Sequence, residues 1–219
     1  MVMKESKAEV AIRKVRGSDV EFVREMIGSV WQIERFSDRE GIIYQLLEAN
    51  RCRMMCHADF IRIAECDGRP AGIVAASMGR VPFMQRCRYV LPWQYHRLRA
   101  LAACGDDART VKAYFAVEAS YEKLLERVSG NLGSELILFA VDRSIRGRGI
   151  GGRLMQAYTE ECRRRKIEDM YLFTDTFCDY GYYDHNGFEL RGSEHLQLEL
   201  AHERIDHTTF LYSKRLSQE

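Results

Sequence analysis

Seven consecutive residues, Arg146-Gly147-Arg148-Gly149-Ile150-Gly151-Gly152, hold four glycines and two arginines between an uninterrupted apolar run and an amphipathic stretch. Glycine lets a backbone approach a ligand closely and take positive φ without a Cβ penalty. A helix starting in such a turn aims its first unbonded amides, and the positive end of its dipole, at whatever occupies the turn. Arg146, Arg148 and Arg153 add positive charge, so the natural occupant is a phosphate or pyrophosphate. A plain strand-to-helix connection has no need of so many glycines. Gly147-x-Gly149-x-x-Gly152, with Glu168 and Asp169 about 20 residues on, formally matches a dinucleotide fingerprint. That fingerprint puts its first glycine at the strand end, within repeated strand-helix-strand units. Here Asp142 to Arg146 intervene and no such repeats surround the turn. A P-loop is excluded because no Gly-Lys-Ser/Thr follows.

The elements that must position this turn follow from hydrophobic periodicity. Glu135 to Val141 is a continuous apolar run that suits a strand buried on both faces. Ile150, Leu154, Tyr158 and Cys162 recur at every fourth residue and predict a helix from about Gly149 to Lys166. A strand over Met170 to Thr174 comes next, then a short helical segment reaching Gly187. Phe188 to Arg191, Leu196 to Leu200 and Phe210 to Ser213 read as the closing strands. Upstream, Val10 to Val15 alternates as a strand, and Ser18 stands where a helix N-cap belongs, ahead of Val20, Val23, Met26, Ile27 and Val30. A second helix, from Asp38 to about Arg51, carries Ile42, Ile43, Leu46 and Leu47 as its stripe. Ile61 to Cys66 and Ala71 to Met78, joined by Asp67-Gly68-Arg69-Pro70, predict an antiparallel hairpin. Between hairpin and apolar strand, Gly79 to Gly133 holds two helical patterns, around Pro92 to Cys104 and Asp106 to Val128, parted by Gly105. The order predicts one mixed α/β (α+β) domain over residues 1–219, with a mostly antiparallel sheet flanked by helices and a helical insert over 79–133.

Composition narrows the function classes. The 33 basic and 32 acidic side chains nearly cancel, which gives no reason to expect nucleic acid as a partner. Seven cysteines, an odd number, make a poor disulfide framework and fit a reducing, cytoplasmic compartment. Met1 to Glu9 is polar and lacks the core of a signal peptide, and the longest apolar-and-small run, Ala71 to Met78, is too short to span a bilayer. No membrane association is expected.

Two motifs stand in register. Val141-Asp-Arg-Ser-Ile-Arg146-Gly-Arg-Gly149-Ile-Gly151 resembles the pyrophosphate motif of the GNAT (Gcn5-related N-acetyltransferase) superfamily, Gln/Arg-x-x-Gly-x-Gly/Ala after a hydrophobic strand. Tyr183-Asp-His-Asn-Gly187-Phe188 is similar to the family's Tyr-x-x-x-Gly-Phe segment and begins 32 residues after Gly151, the separation of a helix, a strand and half a helix. The resemblance covers Glu135 to Arg191; Arg143 stands where many members carry proline, and the insert replaces a short turn. It implies acetyl-CoA as co-substrate, no metal, and direct transfer to a primary amine of a small molecule or peptide. Arg146, Gly147, Arg148, Gly149, Ile150, Gly151 and Gly152 would then cradle the pyrophosphate. Phe139, Ala140 and Val141 would splay from the next strand and bond the pantetheine and the thioester carbonyl, one amide acting as oxyanion donor. Tyr183 would protonate the departing thiolate. Glu135, Glu118, Asp175 and His185 all qualify as general base, as does a water chain, and spacing favours none. A non-catalytic CoA-binding module would keep the glycine motif equally well. The insert is expected to cover or line the acceptor pocket, the alternatives being a homodimer contact or peripheral decoration that merely thickens the domain.

Other signals have plainer readings. Cys52-x-x-x-Cys56-His57 lacks a second ligand pair for a metal. Cys178 reads as a bystander thiol. Arg163-Arg164-Arg165-Lys166 falls at a helix C-terminus, where cations complement the dipole. Trp31, Phe36, Trp93 and Tyr95 are core aromatics or the walls of a substrate groove.

Overall fold

The computed structural model describes residues 10–103, 105, 108–128, 130 and 132–216; Met1–Glu9, Cys104 and Asp106 lie outside them. The chain runs β1 (Val10–Lys14), α1 (Val20–Trp31), α2 (Glu40–His57), β2 (Phe60–Cys66), β3 (Arg69–Ser77), α3 (Phe83–Ala103), α4 (Ala108–Arg127), β4 (Ser134–Val141), α5 (Ile150–Arg164), β5 (Asp169–Asp175), α6 (Gly181–His185), β6 (Glu189–Glu199) and β7 (Arg204–Arg215). A seven-stranded sheet has the order β1-β2-β3-β4-β5-β7-β6. Every neighbouring pair is antiparallel except β4 and β5. The architecture is therefore the predicted mixed one, and the doubly wound parallel sheet of a dinucleotide fold is ruled out.

Helices cover both faces of the sheet. The four-residue stripe Ile150, Leu154, Tyr158 and Cys162 seats α5 against Ala64, Val74, Met170 and Leu172. Gly72 of β3 allows this approach: a Cβ there would stand 2.9 Å from the Ala140 carbonyl and 3.0 Å from Leu154 Cδ1. On the other face, Val23, Ile27 and Met54 of α1 and α2 pack on Ile63, Ile73, Leu138 and Ala140. The insert extends this second layer. Its helix α3 lies along α2, while α4 packs on β6 and β7 through Val111, Tyr114 and Leu198.

Four local expectations change. Ser18 is not the cap of α1; the helix starts at Val20 with Asp19 at its N-cap. The Asp19 carboxylate instead accepts from the Arg16 amide at 2.7 Å and from Arg13 at 2.7 and 2.8 Å, pinning β1 to the turn. Helix α2 continues past Arg51 to His57, since sheet and α3 together bury Cys52, Met54 and Cys56 on several sides. Helix α3 begins at Phe83 and runs through Pro92 rather than starting there. A proline inside a helix costs about 3 kcal/mol, offset by anchors on α2: Gln85 Nε2 donates to the Met55 and Ala58 carbonyls at 2.8 and 2.7 Å, and the Trp93 ring meets His57 edge-on at 5.5 Å. Finally, the expected strands Phe188–Arg191 and Leu196–Leu200 merge into one, β6, which runs from Glu189 to Glu199 and pairs with β7. Its register shifts between Leu190 and Gly192, and this bulge, with the polar Ser193-Glu194-His195, hid the continuity.

Candidate active site

β4 and β5 form a fork. They pair only at Ser134–Met170 and Glu135–Tyr171 and then diverge. Gly133 closes the base of the fork: its φ is +77°, and a Cβ there would lie 1.9 Å from the Asp169 carbonyl oxygen. Beyond Glu135, one edge of β4 is bonded to β3 and the other has no strand partner among the described residues. The β3–β4 register also shifts, Ala75 pairing with Leu138 and Ala76 with Leu136, so Ile137 is an extra residue. A bulge re-aims the backbone beside it. Within an unbroken apolar run the extra residue leaves no signature in the sequence.

The fork opens into a cleft of about 440 Å³. Leu136 to Val141 form one wall and Phe173, Thr174 and Phe177 the other, with Val30 and Trp31 of α1 closing a side. At the far end lie Arg143, Arg146, Gly147, Gly149, Ile150 and Gly151. Gly147 and Gly149 take φ of +81° and +74°, conformations that favour glycine. Gly149 is the N-cap of α5, and the first amides of that helix have no intrahelical acceptor. Asp142 shapes the approach: its amide donates to the Ala71 carbonyl at 3.0 Å and its Oδ1 accepts from the Ser144 amide at 2.8 Å. Of the residues expected to cradle an anion, Arg146, Gly147, Gly149, Ile150 and Gly151 line this end of the cleft. Arg148 and Gly152 are exposed and lie outside the cleft wall. Arg153 donates to the Val10 carbonyl at 2.7 Å, so it ties α5 to β1 rather than charging the turn. The Ile150 side chain is buried in the core, so only its backbone is available to the cleft.

Tyr183 stands in the cleft on α6, which leaves β5 across the fork from β4. Phe188 and Tyr212 pack its ring at 5.3 and 5.9 Å. Burial, reinforced by nearby Cys178, Tyr182 and Asp179, pushes its hydroxyl well above the ordinary tyrosine pKa. It therefore stays protonated and can offer a hydrogen bond at any physiological pH. Cys178 also lines the cleft; its thiol donates to the Val30 carbonyl at 3.5 Å, and burial holds it protonated. A thiol so placed is a poor nucleophile.

The two motifs meet at one cleft, the glycine turn at the N-terminus of α5 and Tyr183 across the fork from it. The acetyltransferase (GNAT) family model matches residues 21–188. The chain belongs to the GNAT family. No curated protein sequence matches it. Among solved structures, SsHAT superposes with TM-score 0.59 at 15% identity over 95% of this chain and 99% of that one. Ard1 from Thermoplasma volcanium gives 0.52 at 15% over 95% and 99%. Ribosomal-protein-alanine N-acetyltransferase from Brucella melitensis gives 0.50 at 16% over 94% and 99%. At such identities the likeness is one of fold.

In this GNAT protein the acid-base candidates separate. His185 is exposed on α6 and bonds the Gly181 carbonyl at 2.6 Å, away from the cleft. Glu118 of α4 faces Arg53 and Arg97 at 3.8 and 3.7 Å. Asp175 is buried and accepts from the Tyr121 hydroxyl at 3.0 Å and the Phe177 amide at 2.8 Å. Glu135 sits at the base of the fork, where burial raises its carboxyl pKa against the opposing pull of Arg53 and Tyr171. Two small compartments continue from the cleft past Trp31, Phe173 and Phe177. Glu135 lines one, Tyr114, Glu118 and Asp175 line the other, and Asn50, Arg53 and Tyr121 line both.

Sequence reasoning missed Arg53, Asn50, Tyr114 and Tyr121, which read as ordinary helix residues. Of the four aromatics proposed for a groove, Trp31 and Phe36 line these compartments. Trp93 packs on His57, and Tyr95 faces outward. Glu48, Cys52 and His96 bring ligand atoms within 4.8 Å of one another. The Glu48 carboxylate is already taken by Arg24 Nε at 2.9 Å and Arg51 Nη2 at 2.7 Å, which makes this an ion-pair network linking α1 and α2. Among the described residues, no helix is long and apolar enough to cross a membrane.

Proposed function

We propose that this protein transfers an acetyl group from acetyl-CoA directly to a primary amine of a small molecule or peptide. The observation that carries this reading is the fork: β4 and β5 separate after Glu135–Tyr171, leaving the β4 edge from Leu136 to Val141 without a strand partner beside an anion cradle. An extended pantetheine chain adds to such an edge by the logic of strand augmentation. The amides around the turn, from Gly147 to Gly152, and the Arg146 guanidinium, with Arg148 at the rim, hold the pyrophosphate. An amide within Phe139–Val141 steadies the thioester oxygen as negative charge develops there. Glu135 takes the proton from the acceptor ammonium, since a carboxyl held above its ordinary pKa is a stronger base than a free one. The free amine adds to the carbonyl carbon, the C–S bond breaks as the Tyr183 hydroxyl donates to the departing sulfur, and the proton shed by the acylated nitrogen restores that hydroxyl through solvent. The carboxylates Glu118, Glu135 and Asp175, set among Trp31, Tyr121, Phe173 and Phe177, suit a cationic amine with a slender apolar stem.

Thiol release from acetyl-CoA in the presence of a panel of amines tests the reading. Release with at least one amine supports it. Binding of acetyl-CoA, seen as a rise in melting temperature, without release for any amine would leave a CoA-binding module instead.

A further inference from the structure

The outer face of α3 is apolar, and no other element among the described residues covers it. Met84, Leu91 and Leu98 recur every seven residues, with Phe83 and Tyr95 beside them. They keep 76%, 74%, 64%, 76% and 57% of their surface exposed, in that order. The opposite side of the helix is engaged: Trp93 meets His57, His96 Nδ1 bonds Gln45 Oε1 at 2.7 Å, and Ala100 is fully buried. A helix apolar on both sides is built to be covered on both sides. These five side chains present several hundred Å² per chain, on the order of the ~800 Å² per partner of a standard interface. Scattered exposed hydrophobics would need no explanation; a seven-residue repeat along one helix does.

We infer that α3 pairs with α3 of a second copy of this chain, antiparallel about a two-fold axis at Leu91. Such a contact is self-complementary, as a closed two-fold dimer requires. Leu91 meets Leu91 of the partner subunit, and Met84 meets Leu98 of the partner subunit. Charge selects the direction. Helix α3 contains Arg86, Arg88, Arg97 and Arg99 and no acidic residue. Arg97 turns inward, over the Phe115 ring at 4.8 Å and toward Glu118 at 3.7 Å. Arg88 and Arg99 flank the stripe. A parallel pair would stack each on its own copy. The antiparallel register instead sets Arg88 by Gln94 of the partner subunit and Arg99 by Phe83 of the partner subunit, a cation-π arrangement.

The test is mass in solution by light scattering and sedimentation across micromolar concentrations, for wild type, Leu91→Glu and Leu98→Glu. Leu91 and Leu98 are exposed, so both variants should stay folded and keep the rise in melting temperature with acetyl-CoA, losing only the stabilisation that dimerisation itself confers. Wild type at twice the 25.5 kDa of one chain, with both variants at the single mass, is the expected result. A monomeric wild type overturns the proposal, as does a dimer that survives both substitutions. A monomeric wild type that co-sediments with anionic phosphatidylglycerol vesicles, but not with phosphatidylcholine alone, would assign the basic apolar face to a lipid surface.

Discussion

The two helices of the insert are nearly equal in length, 21 residues in α3 and 20 in α4, yet they solve different problems. Helix α4 has one apolar face, spends it on β6 and β7, and turns Tyr114, Glu118 and Tyr121 toward the compartments behind the fork. Helix α3 spends one face on α2 and has a second apolar face left over. One helix shapes a site inside the chain; the other is shaped for something outside it. A single long insertion can therefore carry two functions, divided by which helix touches the sheet. Deleting the insert would not separate them, because Ala100, Val111, Tyr114 and Leu124 are all buried core.

Point substitutions can break this division. The largest effect should come from the cleft itself, which either helix needs in order to matter. Tyr183→Phe is expected to lower kcat roughly 10² to 10⁴-fold, the usual worth of general acid catalysis, while the thermal shift with acetyl-CoA persists. An unchanged kcat, with chemistry shown to limit the rate, would remove the hydroxyl from the mechanism. Gly149→Asp should abolish that thermal shift altogether, because an L side chain at φ +74° is strained and its carboxylate opposes the pyrophosphate. A folded variant that keeps the full shift would return the turn to a purely structural role.

Glu135→Gln sharpens the boundary between fork and insert. Activity should rise with pH as the Glu135 carboxyl ionises, at a pKa above the ordinary carboxylate value, and the substitution should erase that limb and lower kcat at least about tenfold. Stability carries the opposite sign. A carboxyl whose folded pKa is raised loses folding free energy as pH climbs from its unfolded to its folded pKa. The variant should therefore melt no lower than wild type at neutral pH. A large drop in melting temperature would recast Glu135 as a structural anchor.

The smallest effect is expected from α4. Tyr121→Phe removes one hydrogen bond to a buried carboxylate, worth about 1.5–3 kcal/mol, and leaves the ring stacked on Phe173 at 4.7 Å. KM for the amine should change severalfold while acetyl-CoA binding does not. Equal changes in both would mean that α4 supports the whole fork rather than the acceptor side.

The sequence alone determined the local features. Four glycines within seven residues permit the positive φ that Gly147 and Gly149 take, and a four-residue stripe behind them dictates the helix that starts there. Tyr183 and Gly187-Phe188 lie in the same stretch of chain, so their order and spacing were legible too. What only the tertiary structure decided depends on residues far apart in sequence. The fork exists because Gly133 meets Asp169 and because Ile137 is an extra residue opposite β3. The compartments exist because α4 returns Tyr121 to Asp175, which stands 54 residues later. Helix α3 overrides its own proline because α2 offers it a surface. Propensity and periodicity act over one or two turns of chain, whereas a carboxyl's pKa or a strand's missing partner is set by whatever the fold brings beside it.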